Sequence, residues 1–219
     1  MNSPADECPL CLNKNTQDYA RDPSRDFSLC SICSLIFVPR AQLISSNDEK
    51  KRYDFHQNDE SDEFYRKYLN LIAERILPTL SEGETGLDFG CGRTTLMSDL
   101  IKKKNFAVDS YDLYYFPDMT IWSKKFNFII LSEVIEHLRN PIEEMKRLRK
   151  LLIPEGKMFI KTKLHPGDKP LFDNWFYKRD ITHVQFFSED SLRYLAKELS
   201  MSGPNMLSED LFVFTAASI

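Results

Sequence analysis

The hydrophobic pattern of the chain changes period along its length. From Phe64 to Leu80 the apolar positions Tyr65, Tyr68, Leu69, Ile72, Ile76 and Leu77 recur at intervals of three and four, which predicts a helix with one buried face, closed by Pro78 and SEGETG. From residue 86 onward short apolar runs alternate with helical stretches. GLDFG (86–90), AVDSYDLY (107–114), FNFIIL (126–131) and KMFIKTK (157–163) read as strands, and helices are expected from Thr94 to about Lys104 and from Pro141 to about Leu152. Such alternation predicts a parallel sheet covered by helices on both faces. The tail departs from it, with a helix from Ser188 to Leu199, a short strand near Met206 and a last strand LFVFTAA (211–217), a terminal hairpin. Upstream, the strand LIFVP (35–39) runs into SSNDEKKRYDFHQNDESDE, a polar stretch without apolar periodicity that reads as a linker. Within it YDFHQN concentrates Tyr53, His56 and Asn58, groups able to hydrogen-bond a ligand, although a polar linker most simply lies in solvent.

With 219 residues, 42% hydrophobic and 28% charged, the chain can bury one sizeable core and carry a smaller appendage. No apolar run approaches the roughly 20 residues that cross a bilayer, and the start does not read as a basic-then-apolar leader. The expectation is a cytosolic, cytoplasmic protein with no membrane partner. A net charge of -4 supplies no footprint for nucleic acid. The basic runs Lys102 to Lys104 and KRLRK (146–150) read as solvated helix faces. Oligomeric state leaves no trace in the sequence.

Four of the five cysteines form CPLC (Cys8, Cys11) and CSIC (Cys30, Cys33), two CxxC pairs separated by the segment 12–29. Each pair can turn two thiolates toward one point, and four thiolates fill a tetrahedral Zn²⁺ site with no open position, so the expected metal is structural zinc in a ribbon. Metal binding supplies on the order of 10 kcal/mol, which a segment of this size cannot obtain from apolar burial. Disulfides or redox dithiols are the rival reading; a cytosolic setting and the lack of a neighbouring βαβ pattern weigh against them.

The first strand of the alternating region leads into LDFGCGRTT, where Gly90 and Gly92 let the backbone turn tightly and approach a ligand at a helix N-terminus. Thr95 stands where a dinucleotide fingerprint has its third glycine. Asp88, just before the turn, would repel a pyrophosphate but suits a ligand carrying an ammonium and a sulfonium, as S-adenosylmethionine does. Asp112, at the end of the second strand, stands where a carboxylate takes both ribose hydroxyls; Asp109 competes, but alternation places it on the opposite wall.

LSEVIEHL (131–138) follows the buried run FNFIIL. If Ser132 caps a helix starting near Glu133, then Glu133, Glu136 and His137 fall within an arc of roughly 100° above the strand ends.

LDFGCG, the acid of YDLY, FNFIILSEVIEHL, NPIEEMKRLRKLLIPEGKMFIKT and THVQFFSEDSLRYLA together resemble the class I S-adenosylmethionine-dependent methyltransferases of the type 11/12/23 group, over residues 83–219. The resemblance implies an α/β, Rossmann-like, seven-stranded methyltransferase sheet with the last strand antiparallel, and cofactor contacts at Asp88, Gly90, Cys91, Gly92, Asp112 and Glu133. One departure stands out: only the segment 113–125 separates Asp112 from Phe126, where the family usually fits a helix, a strand and an acid that contacts adenine. Trp122 or a residue near Asp118 is left as the substitute, with core packing the simpler role for Trp122. The expected organisation is a zinc ribbon (1–45), a linker and helix (46–82) and a methyltransferase domain (83–219).

Three readings of LSEVIEHL stay open. Its acids can complement a helix dipole while His137 packs. It can form the site wall, with Glu133 near the transferred methyl. Or it can bind a cation, because ExxEH resembles the motif holding a divalent ion in small-RNA 2'-O-methyltransferases and ubiquinone-pathway O-methyltransferases, which complete the set with a later His. Here that is His183, making a second site of Glu133, Glu136, His137 and His183 for Mg²⁺ or Mn²⁺. Without metal, His183 or His56 is the expected general base. Trp175, Phe176, Tyr177, Phe186 and Phe187 would roof a small-molecule pocket or join the core; His165 reads as a loop residue. The function expected is methyl transfer to oxygen or carbon of a small molecule. The alternatives are a degenerate domain serving as a protein or nucleic-acid adaptor, and a metal-dependent RNA 2'-O-methyltransferase.

Overall fold

The computed structural model describes residues 6–55 and 61–218. Strands β1 (Thr16–Arg21) and β2 (Asp26–Cys30) form an antiparallel hairpin, and β3 (Ile36–Phe37) pairs with β2. Helix α1 (Ser46–Asp54) follows, its N-terminus capped by the Ser45 hydroxyl, which accepts the Asp48 N–H. Helix α2 (Glu63–Ile76), capped by Asp62, buries Leu69, Ile72, Ala73 and Ile76, the face that the periodicity predicts.

The sheet that dominates the remainder is built from β4 (Thr85–Phe89), β5 (Ala107–Tyr111), β6 (Phe126–Ser132), β7 (Leu152–Lys161), β9 (Met201–Ser208) and β10 (Leu211–Ala216), with α3 (Leu96–Lys102) and α4 (Pro141–Arg149) in the crossovers. Between β7 and β9 lie α5 (Lys169–Asn174), β8 (Gln185–Phe186) and α6 (Glu189–Glu198). The strand order is β5-β4-β6-β7-β10-β9. The β4–β5, β4–β6 and β6–β7 pairs are parallel, and β10 runs antiparallel to both β7 and β9, as the resemblance implies for the last strand.

Among the described residues this sheet has six strands, not seven. The cause is the short connection after Asp112, which holds one 3-10 turn, Met119–Ser123, and neither the helix nor the edge strand. Leu152, expected at the end of a helix, opens β7, which therefore starts well before the apolar run KMFIKTK. Side chains alternate across the sheet. Phe128, Ile130 and Phe159 pack under α2 and α3, whereas Ile129, Leu131 and Ile160 pack under α4 and α6.

The cysteine-rich hairpin is joined to this body. Strand β8 completes its sheet by pairing with β3, Ile36 opposite Phe186, and Val38 N–H donates to Val184 O over 3.0 Å. Cys8, Leu10, Leu35 and Phe37 share a buried cluster with Phe187, Leu192 and Leu195.

Candidate active site

The C-terminal ends of β4, β5, β6 and β7 open on a cavity of about 900 Å³, lined by Asp88, the loop Gly90 to Arg93, Asp112, Glu133, His137, Lys161, Tyr177 and His183. This is where an open α/β sheet places its ligands. Gly90 and Gly92 adopt φ of +76° and +68°, and a Cβ on Gly90 would lie 2.5 Å from Val134 Cγ2. Only glycine lets the turn pass this close to the β6 exit. Asp88 is 3% exposed and accepts the Ser98 hydroxyl at 3.2 Å. Burial pushes its carboxyl up to about 7, only partly offset by Ser98. Cys91, half-buried in the same turn, is a thiol that burial and then the Asp88 and Asp112 carboxylates push up, away from thiolate.

Asp112 accepts the N–H groups of Gly92 (3.1 Å), Tyr114 (2.8 Å) and Tyr115 (3.1 Å) and lines the cavity, so its carboxylate braces the glycine turn. Asp109 lies outside the cavity, paired with Lys124 at 2.7 Å, as strand alternation predicts. Trp122 packs edge-on to Phe89 and Tyr111 with the Arg147 guanidinium over its ring at 3.8 Å, a core role. Composition alone puts Tyr53 in a solvated linker; in the structure it lines the cavity with its ring 5.5 Å from His137. Helix α1 is tied there by Arg139 to Glu49 (3.1 Å) and by Tyr115 to Asp54 (2.8 Å). His56 and Asn58, the other groups of YDFHQN, lie outside the described residues.

The Ser132-capped helix does not form. Glu133 takes a left-handed φ of +54°, and a 3-10 turn, Ile135–His137, follows without a side-chain cap. Across the kink the two acids meet on one hydroxyl, that of Tyr177. Glu133 Oε1 accepts Lys161 Nζ at 3.0 Å and Tyr68 Oη at 3.2 Å, while Oε2 accepts Tyr177 Oη at 2.8 Å. Burial raises its pKa, but Lys161 and these hydrogen bonds outweigh that and hold the carboxyl below the usual carboxylate value. Glu136 turns inward, 0% exposed, and bonds the same Tyr177 hydroxyl. Tyr177 has one phenolic proton for two carboxyls, so the second must bring its own. Burial, then the Glu133 charge, raise the pKa of Glu136, making it the protonated member.

Ligand atoms of Glu136, His137 and His183 lie within 4.8 Å of one another; Glu133, expected as a fourth member, is not in that group. His137 Nδ1–H donates to Thr182 O at 3.0 Å and His183 Nδ1–H to Tyr177 O at 2.7 Å. Carbonyls accept only, so both neutral rings carry the proton on Nδ1 and keep the Nε2 lone pair. Burial, then His183, lower His137 to about 3, and burial lowers His183 against the pull of Asp180. Of the aromatic cluster, Phe176 (60% exposed) and Tyr177 line the cavity, while Phe186 and Phe187 are fully buried core. His165 is more than a loop residue, since its Nε2–H donates to Ser34 O of the cysteine-rich segment at 3.0 Å.

Lys161 is a site residue that the sequence motifs do not single out. At the end of β7, its side chain 5% exposed, it joins Glu133 to Asp210 (2.6 Å). A charge closing an apolar strand, like Asp88 in LDFG, was the available signal. The four cysteine sulfurs lie within 4.8 Å of one another, Cys8 to Cys33 at 3.5 Å and Cys11 to Cys30 at 3.4 Å, with no disulfide among them. Tetrahedral thiolates about 2.3 Å from one ion have edges of this length. No helix among the described residues is long and apolar enough to cross a membrane.

The sequence model of a family described as methyltransferase domain matches residues 61–199. No curated protein matches the chain. Among solved structures, 1,6-didemethyltoxoflavin-N1-methyltransferase of Burkholderia thailandensis, with bound 1,6-didemethyltoxoflavin and S-adenosylhomocysteine, aligns over 92% of this chain and 100% of its own at TM-score 0.55 and 13% identity. A SAM-dependent methyltransferase from Archaeoglobus fulgidus aligns over 63% and 69% of the two chains (TM-score 0.53, 18% identity). An O-methyltransferase family protein from B. thailandensis aligns over 78% and 63% (TM-score 0.53, 12% identity).

Proposed function

The chain belongs to the methyltransferase-domain family, and from that premise we propose that it takes its methyl group from S-adenosylmethionine and delivers it to oxygen or carbon of a small-molecule acceptor. One observation carries the reading. A single cavity joins the Asp88–Gly92 turn and Asp112 at one end to Glu133, His137 and His183 at the other, so cofactor and acceptor have one continuous space. Asp88 would face the cofactor ammonium, the Gly90 to Gly92 backbone its amino-acid portion, and Asp112 the ribose. When bound, S-adenosylmethionine supplies an electrophilic methyl group. This chain's part is to orient the acceptor and take its proton.

Hydroxyl and activated C–H acceptors must lose a proton, and His183 is the better-placed base. It is neutral, its Nδ1 is anchored so that Nε2 stays available, and Asp180 stabilises the imidazolium that forms. His137 is held lower and positions more than it titrates. Glu133, saturated by Lys161, Tyr68 and Tyr177, shapes the wall between the two halves. The fold relative with bound 1,6-didemethyltoxoflavin and S-adenosylhomocysteine supports a small-molecule acceptor. Calorimetry with S-adenosylhomocysteine, then transfer of labelled methyl from S-adenosylmethionine to fractionated small-molecule extracts, tests the proposal. Binding and a labelled small molecule are expected; no binding at high micromolar concentration, or label found only in RNA, would sink it.

The Cys8, Cys11, Cys30 and Cys33 sulfurs would hold structural zinc, their spacing being that of a closed four-thiolate site. A second reading of the catalytic end is favoured by the convergence of Glu136, His137 and His183, which would offer a divalent ion two imidazoles and, on release of the Glu136 proton, one carboxylate. Methyl transfer unaffected by EDTA and by added Mg²⁺ or Mn²⁺ excludes that reading and leaves His183 as base.

A further inference from the structure

The active-site segment from Phe176 to His183 has little regular structure of its own: one 3-10 turn, Phe176–Arg179, precedes an irregular stretch and the two-residue strand β8. Such a segment satisfies only part of its carbonyls internally, Asp180 O accepting the His183 N–H at 3.1 Å and Tyr177 O the His183 ring. The carbonyls of Lys178, Asp180, Ile181 and His183 converge on one side chain, Arg25, from the turn between β1 and β2. Nη1 donates to Ile181 O at 3.0 Å and His183 O at 2.8 Å, and Nη2 to Asp180 O at 2.8 Å and to Lys178 O.

We propose that Arg25 is the positioning residue for the loop that carries Tyr177, Asp180 and His183 into the cavity, so that the cysteine-rich hairpin serves as the mould of the acceptor end of the active site. The proposal rests on the reading of the cavity given above. The turn itself is locked, with Asp22 Oδ1 accepting the N–H groups of Ser24 (2.8 Å) and Arg25 (3.0 Å) and the Ser24 hydroxyl (2.7 Å). The guanidinium, its side chain 5% exposed, lies over the Phe27 ring at 5.2 Å, and Phe27 is wedged against Phe172 and Phe186. On the other side of the loop, Val184 N–H donates to Glu136 O at 2.9 Å. The backbone at His183 is thus gripped from two directions, and its ring is tied to Tyr177 O.

A planar fork of donors can meet four carbonyls at once, whereas a lysine ammonium offers three tetrahedral donors on a flexible stem. Arg25 does not line the cavity, so it acts through the loop rather than on a ligand.

The test uses full-length R25K and R25A, with three readouts: calorimetry with S-adenosylhomocysteine, hydrogen exchange of the 176–184 peptide, and ¹⁵N-histidine spectra, which are assignable with four histidines in the chain. For R25K we expect S-adenosylhomocysteine affinity within about twofold of wild type. Amides of residues 182–184 should exchange roughly tenfold faster, and His183 should lose its Nδ1–H tautomer. Millimolar guanidinium should restore both loop signals in R25A; if R25A does not fold, R25K carries the test. Unchanged exchange and tautomer would overturn the proposal. So would exchange that rises equally in β4, β6 and β7, the mark of a general fold support. Wild-type protein that fails to bind S-adenosylhomocysteine would instead overturn the reading of the cavity.

Discussion

Replacing Asp88 with Asn separates the proposed cofactor role of this carboxylate from its cost to the fold. Burial raises it from 3.8 to about 7. Because the folded value lies above the unfolded one, the stability it contributes is complete below pH 3.8 and is lost as pH climbs to about 7. A shift of this size, at about 1.4 kcal/mol for each tenfold change in proton affinity, makes that loss about 4 kcal/mol. By pH 5 about 2 kcal/mol of it has gone, and by pH 7.5 nearly all. Asn keeps the shape and an acceptor for Ser98 but cannot ionise. Asp88→Asn should therefore raise apoprotein stability relative to wild type by about 2 to 3 kcal/mol more at pH 7.5 than at pH 5, or several degrees in melting temperature at roughly 2–4 °C per kcal/mol. With Asp88 as the proposed partner of the cofactor ammonium, the same change should lower S-adenosylhomocysteine affinity about 10- to 100-fold at pH 7.5. Differential scanning fluorimetry at the two pH values and calorimetry read both effects. Equal destabilisation at both pH values, or undiminished affinity, would refute the reasoning.

Further outcomes follow from the same geometry. Gly90→Ala, forced into φ +76° with its Cβ 2.5 Å from Val134, should abolish S-adenosylhomocysteine binding and lower stability by about 1–3 kcal/mol, measured by calorimetry and urea unfolding. Lys161→Met leaves Glu133 and Asp210 without their shared cation and should cost about 3–5 kcal/mol in urea unfolding; a cost near zero would mean that the lysine is dispensable. Elemental analysis should find one equivalent of zinc in purified protein, lost in Cys8→Ser and Cys33→Ser, and its chelation should speed amide exchange in the 176–184 segment, because β3 and Arg25 hold that loop.

Sequence by itself determined the elements whose causes are local. The three-and-four spacing of Tyr65 to Leu77 specified α2, the apolar runs specified the parallel strands, and the paired CxxC spacing predicted the clustering of four sulfurs. The glycine turn was legible for the same reason, because a left-handed backbone at a strand end leaves its mark in residue type. The short connection after Asp112 already left no room for the usual helix, but the seven-stranded expectation kept an edge strand that the sheet lacks among the described residues. What only the tertiary structure decided depends on groups far apart in the chain. LSEVIEHL looked helical from its spacing, yet Glu133 is drawn into a left-handed turn where Lys161, Tyr68 and Tyr177 converge on its carboxylate. Only folding shows that Glu133 and Glu136 share the Tyr177 hydroxyl while the group that could hold an ion is Glu136, His137 and His183. Tyr53 enters the site from a segment whose composition suggested solvent, and Arg25 holds carbonyls from the far end of the chain. Periodicity reports which face of an element is buried; it carries no information about which distant donor meets which acceptor, and that pairing builds the acceptor end of this site.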